Sequence, residues 1–511
     1  MRAHRSSVPE SGCRRSFGGM RLHPLWRCLL VWSFLLVGDF TFAQRPALNA
    51  YAISDPVPLV AEVVARNLDL PWDLVWGPDD QLWFTERTGA LKRYDPSTKE
   101  VVVLDTVPGV FNSTDNSGLH ALFLHPNFAN EPWIYVSYTY TEDNLRLSRF
   151  WFGANGLQDE EILLEMAGRD SHNGARLLLD QTGKLLFATG DAFNPFLPQD
   201  SLSPNGKLLR LELDGSIPAD NPFPGIALYT LGHRNMQGLV QLPNGEIWST
   251  EHGEDADDEL NRHIASRNYG WPEVAGACDA PEEAAFCEVY AVVEPHVTWT
   301  PTAGPSGLDY YNHPAIPQWQ GCLIAGFLKR RGDPGQRIRV IQLDTEGLEV
   351  LGVRDYLHEG PVVPTDLGQL NQIGVFGRIR DVLTAPDGSV YLCTSNREFN
   401  GQYAVTVDDD RIIRIYNPAW NPVPCLGDCL SIYPSPVRSG QQLYFKFGES
   451  ISGIARVSLF NAAGQRVMDA QLVTGPFVTV QLGSLAPGPY VLEVIYPDGI
   501  QIRSRKILVL P

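Results

Sequence analysis

Lysine is scarce in this chain of 511 residues, methionine occurs only 5 times, and charged residues make up 19% of the whole. Long exposed helices and coiled coils draw heavily on Lys and Glu, so that architecture is unlike this composition. The 8 cysteines contain no C-x-x-C and no C-x-x-C-H, which removes zinc-ribbon and covalent-haem readings. Beyond residue 43 no run is apolar over the ~20 residues that a membrane-spanning helix needs. The D-x-D-x-D-G spacing of an EF-hand is missing too. Basic charge is in deficit: 40 Lys and Arg face 59 Asp and Glu, a net charge of −19. That balance disfavours nucleic acid or an anionic membrane as the main partner, and suits cations, neutral small molecules or basic proteins.

The chain is rich in other things. It is 44% hydrophobic and 10% aromatic, with 46 Gly and 39 Pro. Such a chain has ample material for cores and is not mostly disordered. Its turn residues point to β structure.

Residues 1–43 read as an export signal. Arginines precede the apolar run Cys28-Leu29-Leu30-Val31-Trp32-Ser33-Phe34-Leu35-Leu36-Val37-Gly38, and Thr41-Phe42-Ala43 before Gln44 suits signal peptidase. Met20 is the more natural start. Without the leader's six Arg and two acids, 34 basic residues face 57 acidic ones, or −23. The cysteines agree with export: Cys278 and Cys287, like Cys425 and Cys429, are spaced to close small loops in an oxidising compartment. Cys322 and Cys393 lie in apolar runs and are expected to be buried thiols.

One pattern recurs six times: a turn, then a strand rich in aromatic and β-branched residues. It begins as Gly77-Pro78-Asp79-Asp80-Gln81-Leu82-Trp83-Phe84-Thr85 and returns at His125-Pro126-Asn127, Gln181-Thr182-Gly183, Pro243-Asn244-Gly245, Trp319-Gln320-Gly321 and Pro386-Asp387-Gly388. The spacing of roughly 50–75 residues is at or above the period of propeller blades. The expected fold is all-β, a six-bladed β-propeller over residues 44–417. Pro418, Pro422 and Pro424 mark a linker at 418–430. After it, residues 431–511 alternate apolar and polar positions, as in Gln442-Leu443-Tyr444-Phe445-Lys446-Phe447, and predict a small antiparallel Ig-like β-sandwich. This segment resembles the C-terminal sorting domain of type IX secretion cargo in Bacteroidetes-type bacteria. The likeness rests on Tyr433-Pro434-Ser435-Pro436, Asn461-Ala462-Ala463-Gly464, Leu485-Ala486-Pro487-Gly488 and the terminal Lys506-Ile507-Leu508-Val509-Leu510. Ser435 stands where that family usually has Asn. The resemblance implies the type IX secretion machinery as a partner, and a secreted or cell-surface location.

Three polar clusters flank predicted strands and so belong on loops at one propeller face. They are Asp170-Ser171-His172-Asn173-Gly174, Thr230-Leu231-Gly232-His233-Arg234-Asn235, and the acidic run from Glu251 to Asn261, followed by Asn268-Tyr269-Gly270-Trp271-Pro272. A lone histidine is more often structural, and an acidic run is as often a solvated loop. Near a cation and a second basic residue, His172 is placed to act as a general base. The acidic run suits a hard cation such as Ca²⁺.

Those clusters, with Leu211-Glu212-Leu213-Asp214-Gly215-Ser216-Ile217-Pro218 and Arg378-Ile379-Arg380-Asp381-Val382, resemble the soluble quinoprotein glucose/aldose dehydrogenases over about residues 60–416. That likeness implies an enzyme that oxidises an aldose at C1 to its lactone, with pyrroloquinoline quinone and Ca²⁺ as cofactors. It implies His172 as the base and Arg234 beside the reacting quinone oxygens. Asn116, Asn235, Thr302, Lys329, Arg378 and Arg380 would contact the tri-acid cofactor. The carbonyls of Gly253 and Glu254 would hold its Ca²⁺, and Glu259, Tyr269 and Asp279 a second ion. The chain departs from the family pattern at Ser171, Asn116 and Glu254, and Trp299 is the nearest candidate for a tryptophan that packs by the cofactor. The electron acceptor is not readable from the sequence. The alternatives are a non-catalytic extracellular propeller that binds a glycan or protein, and a Ca²⁺-dependent lactonase.

Overall fold

The computed structural model describes residues 57–420, apart from 114–115, 330–336, 357–361, 364–375 and 399–407, together with the strands between 430 and 510. The leader at 1–43, most of the expected linker, Cys425 and Cys429, and Ser435 lie outside the described residues.

Six sheets follow one another, each with four consecutive antiparallel strands or their equivalent. The first runs Pro71–Trp76, Leu82–Glu86, Ala90–Asp95, Glu100–Thr106. The third runs Gly174–Leu179, Leu185–Thr189, Lys207–Leu211, Leu228–Leu231, and the fourth opens with Met236–Gln241, Ile247–Glu251 and Asp258–His263. All six recurring turns sit at the same place, between a sheet's first and second strands. Gly77 N donates to Gln81 O, Asp180 N to Lys184 O, Leu242 N to Glu246 O and Ala385 N to Ser389 O. The recurrence in the sequence was therefore the first hairpin of each blade. The second strands, among them Leu82–Glu86, Ile247–Glu251 and Val390–Thr394, are buried throughout. They lie inside a sheet packed on both faces, which is why they read as runs and not as alternation.

Apolar clusters fill the gaps between neighbouring sheets; one holds Trp72, Tyr135, Leu177 and Phe187. The first strands are also tied together by buried charge. Arg176 Nη1 pairs with Asp73 and, at 3.1 Å, with Asp381, so one guanidinium joins three blades. The other oxygens of these acids accept from Leu122 N at 2.7 Å and Leu74 N at 2.8 Å.

The sixth sheet is closed by the other end of the chain. Val60–Ala65 pairs antiparallel with Ile412–Tyr416, beside Val390–Thr394 and Ile379–Thr384. Val60, Ala61, Val63 and Ala65 are buried there. Deleting residues 60–65 from the protein exposes a sheet edge and gives up about 1.5–3 kcal/mol for each of the two valines alone. The truncated protein is expected to melt well below the full chain and to aggregate, as read by circular dichroism and light scattering.

Beyond residue 430 there are two sheets, one of three strands and one of five. The expectation of a purely antiparallel sandwich needs correction: Val437–Arg438 runs parallel to Ile502–Leu510. The fold is thus a six-bladed β-propeller followed by a small β-sandwich.

Candidate active site

A cavity of about 290 Å³ opens at one place on the propeller. Its walls hold Asn116, Ser171, His172, Arg234, Asn235, Gly253, Glu254, Lys329, Arg378 and Arg380. All three polar clusters therefore contribute to one site, from the third and fourth sheets, and the rest of the lining comes from the other four.

His172 lies just before strand Gly174–Leu179, with φ +58°, a conformation that residues other than glycine adopt rarely. The turn is locked locally: Arg169 N donates to Asn173 Oδ1 at 2.9 Å, and Asn173 Nδ2 returns a bond to Arg169 O at 2.7 Å. His172 O accepts from Ala192 N at 3.1 Å. Gly190 packs so close beneath it that a Cβ there would lie 2.0 Å from the same carbonyl. The ring nitrogen Nδ1 is 2.8 Å from Asp191 Oδ1, and Phe193 stacks on the ring at 3.8 Å. Asp191 is buried and also accepts from Trp271 Nε1 at 3.0 Å. With Nδ1–H given to the carboxylate, the neutral ring keeps its lone pair on Nε2 for the cavity.

Arg234 follows His233 on the turn before Met236–Gln241. Its backbone N–H donates to the buried carboxylate of Glu251, and Nη1 donates to Gly253 O at 2.8 Å and His252 O at 3.2 Å. Its Nε is buried with no partner. Trp271 lies under the guanidinium at 5.2 Å, so one tryptophan touches both Arg234 and the carboxylate behind His172. The Gly253 backbone is pinned from behind by Asp258 Oδ1, which accepts from Gly253 N at 2.9 Å, while Asp258 Oδ2 accepts from Ala303 N and Gly304 N. A Cβ at Gly253 would meet Ala256 O at 1.9 Å, so only glycine fits this turn.

Opposite lies a group of cations. Arg378 and Arg380 alternate along one strand and so project to one side. Both donate to Glu398 Oε2 at 2.6 Å, and Arg87 pairs with Oε1 at 2.9 Å. Burial works to raise the Glu398 carboxyl, but the charges of Arg380, Arg378 and Arg87 outweigh it and hold the group well below the usual carboxylate range. Arg380 also reaches Gln237 Oε1 at 3.2 Å and Asn116 Oδ1 at 3.4 Å. Asn235 Oδ1 is taken by Gly174 N at 3.1 Å and Gln237 Nε2 at 3.0 Å. Lys329 donates to the Thr302 hydroxyl, which places Thr302 just behind the wall; burial lowers the Lys329 pKa. On the wall itself stand Arg234, Lys329, Arg378 and Arg380, and the carboxylate among the lining residues is the exposed Glu254; Glu398, Asp191, Glu251 and Asp258 lie behind the wall. A surplus of cations on the wall and a buried guanidinium Nε without a partner on Arg234 fit a polyanionic, planar ligand.

Other expected residues lie elsewhere. Glu259, Tyr269 and Asp279 are not on the cavity wall. Glu259 accepts from Gly276 N at 2.9 Å and Asn261 Nδ2 at 2.8 Å; burial and the Glu251 charge push its carboxyl up to about 8. Tyr269 is buried with its hydroxyl on Arg262 O, and Asp279 is exposed. Among the described residues no three His, Cys, Asp or Glu side chains cluster as metal ligands. Trp299 is also displaced: it packs edge-on against Phe327 of the next sheet, at 5.1 Å. The tryptophan on the cavity wall is Trp72, which meets His120 at 5.1 Å. The short loop from 272 to 299 contains a helix, Pro281–Tyr290, closed by the expected Cys278–Cys287 disulfide. Cys322 and Cys393 are buried thiols, as expected.

Asp191, Gln237 and Glu398 were not singled out in the sequence, and Trp271 was named there only as part of its motif. A signal existed for two of them. Asp191 follows Thr189-Gly190 at the end of a strongly apolar strand, a place where loops display function. Two arginines at i and i+2 on a buried strand demand a buried acid, and Glu398 stands just past the next strand in the chain.

Comparison with known proteins agrees with this geometry. The family model described as "Glucose / Sorbosone dehydrogenase" matches residues 68–403. The aldose sugar dehydrogenase YliI of Escherichia coli is 31% identical over 379 residues, covering 70% of this chain and 95% of that protein. Quinoprotein glucose dehydrogenase B of Acinetobacter calcoaceticus is 35% identical over 297 residues, 51% of this chain and 62% of that one. Among solved structures, the pyrroloquinoline quinone-bound aldose sugar dehydrogenase of Streptomyces coelicolor superposes with a TM-score of 0.59 at 27% identity, covering 71% of this chain and 99% of that one. With a family match across nearly all of the propeller, and a histidine, an arginine and a cationic wall on one cavity, the chain belongs to the glucose/sorbosone dehydrogenase family of oxidoreductases.

Proposed function

We propose that the protein oxidises an aldose at its anomeric carbon to the lactone, using pyrroloquinoline quinone and Ca²⁺. The observation that carries this reading is the placement of the His172–Asp191 pair, Arg234 and the group Lys329, Arg378 and Arg380 on one cavity. The quinone, when bound, supplies a two-electron acceptor for the C1 hydride, and Ca²⁺ a Lewis acid beside it. The chain supplies the rest. His172 Nε2 takes the proton of the anomeric hydroxyl, and Asp191 stabilises the imidazolium that results. Arg234 supplies positive charge where negative charge develops. Lys329, Arg378, Arg380, Asn116, Asn235 and Thr302 hold the three carboxylates and polar edge of the cofactor. The carbonyls of Gly253 and Glu254 are the candidate Ca²⁺ ligands on the cavity, with Glu259, Tyr269 and Asp279 a more distant second set.

We propose further that the enzyme works outside the cytoplasm, after a signal peptide and type IX secretion. The Cys278–Cys287 disulfide supports an oxidising compartment. The sandwich after residue 430 supports the sorting role.

The test is direct. The purified protein, given Ca²⁺ and pyrroloquinoline quinone, is expected to reduce an artificial dye in the presence of an aldose from a panel, and to retain quinone absorbance after gel filtration. Absence of both results would overturn the enzyme reading. Release of acid from a lactone without dye reduction would favour a lactonase.

A further inference from the structure

A second buried cation lies behind the site. Lys207 is fully buried at the start of strand Lys207–Leu211. Its ammonium has no carboxylate partner. Instead Nζ donates to three backbone carbonyls, Leu197 O at 2.8 Å, Pro198 O at 2.9 Å and Asn205 O at 2.7 Å. Burial lowers the Lys207 pKa to about 7, against which three acceptors match the three N–H groups of the ammonium and leave nothing for the lone pair of a neutral amine. All three carbonyls belong to residues 191–206, which connect Leu185–Thr189 to Lys207–Leu211.

That segment carries the carboxylate on which His172 depends. It starts with Asp191 and passes through Ala192 and Phe193, both at positive φ. It is then wound by successive turn bonds: Asn194 N to Asp191 O, Leu197 N to Asn194 O, Asp200 N to Leu197 O and Ser203 N to Asp200 O. It contains no regular strand or helix to fix it. Its anchors include the Lys207 cage, the Gln199 amide, which donates to Trp271 O at 2.7 Å and exchanges bonds with the Asn268 amide, and the Asn205 amide, which donates to Ala167 O at 2.9 Å and Gly190 O at 3.1 Å. The same cage meets the second catalytic element. Pro198 O also accepts from Gly232 N at 3.2 Å, and His233 N donates to Gly206 O at 3.2 Å, two residues and one residue before Arg234. Asp191 N in turn donates to Arg234 O at 2.8 Å.

We infer that Lys207 is a positioning residue for the oxidation, its ammonium serving as an internal cation that holds residues 191–206 so that Asp191 orients His172 in register with Arg234. The inference rests on the proposed reaction. Lys207 is absent from the cavity wall, and so would touch neither sugar nor quinone bound there. Its removal therefore acts on the alignment of the base and not on binding.

The experiment compares wild-type, Lys207→Met and Lys207→Ala proteins, loaded with quinone and Ca²⁺. Cofactor affinity is read by titration of the quinone absorbance, fold by far-ultraviolet circular dichroism, and kcat and KM separately over an aldose series. Lys207→Met is expected to fold, bind quinone as the wild type does, keep its KM, and lose about 10²-fold in kcat, the scale of a misplaced catalytic group. Methylammonium is expected to restore kcat to Lys207→Ala saturably, where equal sodium chloride does not. Wild-type kcat in folded Lys207→Met, a loss confined to KM or quinone affinity, or no rescue by methylammonium would overturn the inference. Should Lys207→Met not fold, Asn205→Ala loosens the same segment from another of its anchors; the same split between kcat and KM is expected, and unchanged kcat would overturn it. An inactive wild type counts against the proposed function and is thereby distinct from these outcomes.

Discussion

His172→Ala is expected to bind the quinone like the wild type and to lose about 10²–10⁴-fold in kcat, the usual contribution of a positioned general base. The imidazole lines the cavity but is not among the cations that hold a polyanion, so its loss leaves Arg234, Lys329, Arg378 and Arg380 in place. The sharper variant is Asp191→Asn. The carboxylate accepts from Nδ1, which leaves Nε2 unprotonated; an amide that donates to Nδ1 reverses the tautomer and puts the proton on the nitrogen that must accept one. Its loss is expected to be of the same order as that of His172→Ala, with quinone affinity unchanged. Dye-linked initial rates and quinone titration on both variants check this. Activity near wild type in either would remove the base assignment.

Glu398→Gln is expected to destabilise the cofactor-free protein by about 3–5 kcal/mol, the range for breaking a buried ion pair by removing one partner. Glu398 is 2% exposed, and it is the carboxylate shared by Arg87, Arg378 and Arg380, all themselves buried. An amide leaves three guanidinium groups facing one another. The linkage has a definite sign. The folded-state carboxyl is held below its unfolded value, so its stabilisation is complete above the ordinary carboxylate pKa of about 4.3 and is lost as pH falls below it. Urea unfolding at several pH values is expected to show wild-type stability falling through that acid window and a flatter profile for Glu398→Gln. A variant as stable as the wild type at neutral pH would show that the arginines do not need this carboxylate.

How much of this was readable in the residues follows from range. The six hairpins are local features, since turn and strand lie within ten residues of each other, and each one marked a blade. His172, Arg234 and Gly253 sit on loops whose composition announces them. What stayed hidden depends on which loops meet. Asp191 and Trp271 are 80 residues apart and touch only because neighbouring blades bring them together. Glu398 and Arg87 are separated by 311 residues. Trp299 had the right residue type at nearly the right place in the chain, but its strand turns it toward the next sheet, whose Phe327 and Arg339 cover it. The helix at Pro281–Tyr290 has no buried residue and hence no apolar stripe to reveal it.

The closing strand has a consequence in time. Val60 pairs with Tyr416, so the first strand to be made waits for nearly the last. At roughly 5–20 residues per second of synthesis, that wait is on the order of 20–70 s. Contacts so distant along the chain are also slow to form once both partners exist. Throughout that interval the ring is open and the first strand has not met its antiparallel partner. A chain in this condition depends on whatever shields it, and one held open in this way stays threadable until its last blade is complete.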